Sequence, residues 1–223
     1  MNSLEIFGLS FAVLLEVILI NIVLSGDNAV VIAMASRNVS KKQQKKAIFW
    51  GTFGAIILRL IFAVAIVYLL KLPFVTFLGG LLLVYIAIKL LIDNDNDSHR
   101  EGGSSFISAV KTIITADAIM SLDNVLAIAG AVEGNIAGIM IGVIVSIPLV
   151  VFGSQLILKA MEKHPIISYA GAGILAWTAG EMMVGEPKFE YILPQDYHLL
   201  IPTAITVLVI GLGYLANKIR LFS

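Results

Sequence analysis

The sequence predicts an all-α membrane protein with seven transmembrane helices, arranged as two inverted three-helix repeats plus a seventh helix. Three observations predict this class. Of 223 residues, 59% are hydrophobic and 13% charged, with a mean hydropathy of +0.97; a water-soluble domain carries about 25% charged residues. The apolar residues fall in runs long enough to cross the roughly 30 Å hydrocarbon core, which takes about 20 helical residues each. A polar motif, Ser25-Gly26-Asp27-Asn28, returns as Ser121-Leu122-Asp123-Asn124 in the second half of the chain.

The runs place spans at about 6–36, 47–70, 73–92, 106–131, 135–160, 166–184 and 199–217. The first would be about 46 Å long as one straight helix, too long to stand upright, so it must tilt, protrude or break. A break is cheapest at Ser25-Gly26-Asp27-Asn28, where Gly loosens the helix and Asp can cap a second half. Met1 to Glu5 has no basic run of the kind that opens a signal peptide, so the first span is expected to stay as an uncleaved helix.

Orientation follows from the basic residues of short loops. Arg37, Lys41, Lys42, Lys45 and Lys46 lie between spans one and two. Lys159 and Lys163 follow span five, and Lys218 and Arg220 close the chain, whereas the opposite loops hold Lys71 and Lys188. The expectation is a multi-pass cell-membrane protein with its N-terminus outside and its C-terminus cytoplasmic.

The repeat sets the domain division. Residues 25–33 align with 121–129, which puts Asn21 on Asp117; a slightly different offset puts Phe77-Leu78-Gly79 on Tyr169-Ala170-Gly171 and Tyr85 on Trp177. Residues 1–92 are then the first three-helix repeat and 106–184 the second, which is inverted because three spans is an odd number. Residues 185–223 hold an outer loop, the seventh helix and a short cytoplasmic tail. Segment 93–105 is read as a polar cytoplasmic linker: Asp93, Asp95 and Asp97 imitate the start of a calcium-binding loop, but Ser98 and Ser104 stand where such a loop needs Gly and Glu. Inverted repeats are a feature of secondary transporters, with the substrate site at the repeat interface.

The net charge is zero and there is no cysteine, which argues against a nucleic-acid binder, disulfides and thiolate metal sites. Ionisable residues inside a membrane are costly and by default are hypotheses of function. Here they are Glu16, Asp27, Asp117 and Asp123, with Arg59 in the middle of span two. Glu16 is eleven residues before Asp27, nearly three turns, so the two share a face on a straight helix. Asn21, Ser25 and Asn28 form a stripe that Asp117, Ser121 and Asn124 repeat; such a stripe must face other helices or a wet cavity. Carboxylate and amide oxygens suit Mg²⁺, Ca²⁺ or Mn²⁺, and neither motif holds a His. The candidate metal residues are Asp27, Asn28, Asp123, Asn124, Asp117, Asn21 and Glu16. Arg59 is a candidate counter-charge and Glu181 a candidate guard of the outer mouth. The plainer reading, in which Asn and Ser only glue helices and Arg59 neutralises the acids, leaves more carboxylates than one Arg can balance. On straight spans Asp27 and Asp123 would be roughly 16 Å apart, so a shared ion requires breaks near Gly26 and Leu122.

Together Glu16, the run 25–33, Ser121-Leu122-Asp123-Asn124-Val125 and Leu175-Ala176-Trp177-Thr178-Ala179-Gly180-Glu181 resemble the TerC family of bacterial membrane proteins over nearly the whole chain. The resemblance implies a LysE-type exporter architecture and Mn²⁺ export, with Asp27, Asn28, Asp123 and Asn124 as the matched positions. It also implies partners in protein export, since members of the family supply manganese to exported proteins. The expected function is a proton-coupled Mn²⁺ exporter in the lipid bilayer, not an enzyme, with Mn²⁺ as cargo and no permanently bound cofactor. Two other classes compete. One is an accessory membrane subunit supporting metallation or assembly of exported proteins. The other is an intramembrane aspartyl protease, whose two aspartates would share a proton; an Asn after each Asp in a repeated motif suits a transporter better.

Overall fold

Lipid offers no hydrogen bonds, so each chain crossing must satisfy its own backbone, and long apolar runs become helices. The computed structural model describes residues 5–6, 9–37, 39–69, 73–92, 106–131, 136–190 and 192–222. The helices are α1 (Phe11–Arg37), α2 (Lys41–Leu69), α3 (Val75–Ile92), α4 (Phe106–Ala131), α5 (Ile136–Lys163), α6 (Ile166–Val184), the four-residue α7 (Pro187–Glu190) and α8 (Tyr197–Phe222). Ahead of α1, Glu5–Ile6 and Leu9–Ser10 pair as two-residue antiparallel strands. Among the described residues, four stretches are apolar and long enough to cross a membrane: Ile18–Arg37, Val75–Ile92, Met140–Lys163 and Tyr197–Ile219. The linker expected at 93–105 lies outside the described residues.

Two sequence expectations about helix breaks do not hold. α1 runs unbroken through Ser25-Gly26-Asp27-Asn28, and α4 runs unbroken through Leu122. At 1.5 Å per residue α1 is about 40 Å long, so it is accommodated by tilt or protrusion rather than by a break. Gly26 is exposed with nothing within 4 Å of the position a Cβ would take, so it meets no crowding that would force a kink. What marks the place is local: the Asn28 N–H donates to Asp27 Oδ1 at 2.8 Å, within the continuous helix.

α1 is the hub. Residues Ala29 to Ala35 are all buried, so this stretch is covered on every side, as befits a central helix. It packs chiefly on α5 and α4, α2 packs chiefly on α4, and α3 packs chiefly on α6, which also carries α8. Small residues allow the close approaches, as they do between membrane helices generally. Gly51 and Gly54 of α2 lie against Ile113 and Ile114 of α4, Gly80 lies against Ala179 and Met183 of α6, and Gly180 lies against Pro202 of α8. These registers set directions. Position 51 meets 113 while 59 meets 117 and 121, so α2 and α4 run parallel. α3 and α6 run antiparallel, with 74 and 76 bonding 186 while 80 meets 179.

The two ends of the bundle differ. At one end, Lys41 pairs with Glu162 at 3.8 Å, Arg37 donates to the Ser168 hydroxyl, and Asn217 donates to the Tyr169 hydroxyl. This gathers the basic segments 37–46 and 159–163 and the end of α8. At the other end, α3 begins against the turn between α6 and α7. Outward faces are apolar, for example Phe53, Ile57 and Ile61 on α2 and Phe152 and Leu156 on α5, as lipid contact requires.

Candidate cation site

The polar stripe of α4 repeats at i, i+4 and i+7, which puts Asp117, Ser121 and Asn124 on one helix face. All three are buried, as are Ser25 and Asn28 of α1, and Asp27 is half-buried. Into this stripe α2 sends Arg59, itself 4% exposed. Side chains lean toward the N-terminus of their helix, and Arg59 reaches back along α2 to the α4 positions. Its Nη2 donates to Asp117 Oδ1 at 2.7 Å and its Nε donates to Ser121 Oγ at 2.9 Å. The Ser121 hydroxyl in turn donates to Asp117 Oδ2 at 3.1 Å, which closes a ring of three side chains.

Asp27 is close enough to feel the charges of both Arg59 and Asp117. It is about ten residues from Arg37, or roughly 15 Å from the basic end, half the thickness of a hydrocarbon core. The described cluster therefore holds two carboxylates and one guanidinium near mid-membrane, where α1, α2 and α4 meet. A guanidinium is permanently charged, so with both acids ionised the cluster carries one net negative charge. Oxygen donors with a net negative charge attract a hard cation, and nothing in the cluster is soft.

The remaining candidates divide. The side chains of Asp123 and Asn21 lie outside the described residues, although their backbones belong to α4 and α1. Glu16 is exposed on α1, eleven residues or about 16 Å from Asp27, and stands apart from the cluster. Glu181 is exposed near the C-terminal end of α6, apart from it as well. Among the described residues, no three His, Asp or Glu side chains converge as a ready-made metal cage.

One buried acid escaped the sequence reading. Glu186, 3% exposed, lies just past the end of α6 and caps the start of α3. Its Oε1 accepts the Phe74 N–H at 3.0 Å and its Oε2 accepts the Thr76 hydroxyl. Burial by itself raises a carboxyl, but the Thr76 hydroxyl and the N–H groups of Phe74, Phe77 and Thr76 outweigh it, holding Glu186 below the ordinary 4.5. Phe74 sits at φ 63°, a left-handed conformation rare for a large side chain, and is fixed there by this bond and by its ring against Phe189. The partners are about 110 residues apart in the chain, so no local pattern announces the cap.

Comparison with known proteins agrees with this membrane architecture. A family described as "Integral membrane protein TerC family" matches residues 8–221. The chain is 43% identical over 204 residues to the Bacillus subtilis protein described as "Uncharacterized membrane protein YjbE", covering 92% of this chain and 93% of that one. It is 28% identical over 185 residues to the membrane protein YkoY of the same organism and 28% identical over 236 residues to YegH of Escherichia coli. Those matches cover 74% and 96% of this chain but only 57% and 44% of the longer relatives. No solved structure matches.

Proposed function

The chain belongs to the TerC family of integral membrane proteins, and on that premise we propose that it is a secondary transporter exporting divalent cations, with Mn²⁺ as its cargo. The observation that carries the reading is the buried cluster of Arg59, Asp117 and Ser121 with the half-buried Asp27 near it, where α1, α2 and α4 pack. Such groups are expensive in a bilayer and are kept where an ion or proton must pass. Asn28, Asn124, Asp27 and Asp117 would supply the oxygen donors, with Asp123 expected to join them. Manganese comes from the family resemblance; oxygen ligands alone suit Mg²⁺ equally. Carboxylates that release a metal can take up protons, which would couple export to proton entry.

An inverted-repeat architecture underlies the reading, and three features support it. α1 packs on α5 as α2 packs on α4, the exchange that inverted halves require. Buried positions recur at a constant offset: 47, 51, 55 and 59 of α2 match 146, 150, 154 and 158 of α5. In α3 and α6, positions 76, 79, 80, 83, 87 and 90 match 168, 171, 172, 175, 179 and 182. The gathering of basic segments at one end supports a cytoplasmic C-terminus. Cysteines placed at Ser40 and Gly185 test this orientation: an impermeant thiol reagent on intact cells should label the second and spare the first.

The function is tested with purified protein in liposomes. Mn²⁺ should be taken up, driven by an opposed proton gradient, with Mg²⁺ and Fe²⁺ as competitors to rank selectivity. A chain that moves no manganese alone would be the accessory subunit instead. Cleavage of a membrane-embedded peptide, lost in Asp27→Ala, would make it a protease.

A further inference from the structure

Both oxygens of Asp117 are already engaged by neighbouring side chains. Arg59 holds one of its oxygens at 2.7 Å and Ser121 holds the other at 3.1 Å. A divalent cation bonds carboxylate oxygen at about 2.0–2.6 Å. It would then share a carboxylate with a guanidinium, in a buried site where like charges are little screened. Arg59 cannot yield by losing its proton, so it must move. Its two bonds are polar links from α2 to α4, so breaking them loosens the contact between those helices.

We propose that Arg59 is the empty transporter's own substitute cation: its guanidinium fills the Asp117 seat while no metal is bound, and a divalent cation takes the seat by displacing it. This rests on the transport reading above. The asymmetry of the halves adds to it. The alignment that pairs Asp27 with Asp123 pairs Asp117 with Asn21, and the burial stripe that relates α2 to α5 pairs Arg59 with Leu158. The α2–α4 contact thus carries a charged lock and the corresponding α1–α5 positions are neutral. A lock in one half biases the empty carrier toward one arrangement, and metal binding releases that bias. It also lowers the net charge the empty site must carry through the membrane on its return.

Two consequences are measurable with Mn²⁺ alone. Removing the competitor should tighten binding, and removing the counter-charge should stall the empty return step while the loaded carrier still moves. In proteoliposomes Arg59→Gln should lose net Mn²⁺ flux by about tenfold or more and Mn²⁺–Mn²⁺ exchange by much less. By calorimetry it should bind Mn²⁺ about tenfold tighter, an ordinary size for coupling between competing ligands. Arg59→Lys keeps the charge but not the planar fork, so it should show a smaller gain in affinity with net flux retained; it decides the matter if Arg59→Gln does not fold. Unchanged or weaker Mn²⁺ affinity in the folded variant overturns the proposal, as does parallel loss of exchange and net flux. Failure of the wild type to bind or move Mn²⁺ is a different result, which removes the transport reading itself.

Discussion

Asp117 and Glu186 are both buried carboxylates, yet they are held in different ways. Asp117 is held by side chains, the guanidinium of Arg59 and the hydroxyl of Ser121, both on flexible stems. Glu186 is held by the Thr76 hydroxyl and also by the first backbone N–H groups of α3, which cannot leave without unwinding the helix. The first arrangement can be exchanged for another cation; the second can only be broken. Beside Asp27, Gly26 has open space around it, whereas near the Glu186 end a Cβ on Gly180 would come within 2.5 Å of Pro202 Cα. Tight packing is not confined to that end: at the α2–α4 contact a Cβ on Gly54 would come as close to Ile114 Cδ1.

The largest stability effect should come from breaking the ion pair. Asp117→Asn leaves a buried guanidinium without its counter-charge, which costs on the order of 3–5 kcal/mol when such a pair is halved. Thermal unfolding in detergent measures it. The double variant Arg59→Leu, Asp117→Leu should recover most of the loss, since it removes both charges; a single variant as stable as wild type would show that the pair holds nothing.

Glu186→Gln comes next, at about 1–3 kcal/mol, because an amide is a weaker acceptor for several buried donors. This loss should depend on pH. The folded carboxyl titrates below its ordinary 4.5, so its contribution is full above that value and disappears as pH falls through the lower folded-state value. The melting difference between wild type and variant should therefore shrink on acidification. A difference constant across that range would mean the cap is not ionic.

The smallest pair of effects sharpens the contrast of tight and slack. Gly180→Ala should cost about 1–3 kcal/mol, because α6 and α8 must part to admit the methyl. Gly26→Ala meets nothing and should be neutral or stabilising by up to about 1 kcal/mol, the usual gain for Ala over Gly inside a helix. Loss of transport in a stable Gly26→Ala protein would mean that α1 must break there during the cycle, although the helix is continuous in the structure.

Much of the fold was legible because lipid leaves so few options. Span four, read at 106–131, and span six, at 166–184, coincide with α4 and α6. Span two was read from 47, but α2 begins at Lys41: hydropathy sees the membrane boundary, and a helix continues past it with Lys and Gln, which are good helix formers. The same blindness to polar helix missed α7. In the site, Arg59 could be named as a counter-charge from its mid-span position, but which acid it meets depends on the register of α2 against α4, set by Gly51 and Gly54 against Ile113 and Ile114. The break expected at Gly26-Asp27 failed because permission to kink is not a force that kinks. Glu186 was invisible because a cap supplied from a distant element leaves no mark beside it.

The contrast between exchangeable and fixed carboxylates is tested most directly by Mn²⁺ flux through Asp117→Asn and Glu186→Gln, reconstituted side by side at neutral pH and equal protein density. Asp117→Asn should lose nearly all flux and Glu186→Gln should keep most of it, although both substitutions destabilise the fold. Normal flux through Asp117→Asn, or loss confined to Glu186→Gln, would contradict the assignment of the working site to the junction of α1, α2 and α4.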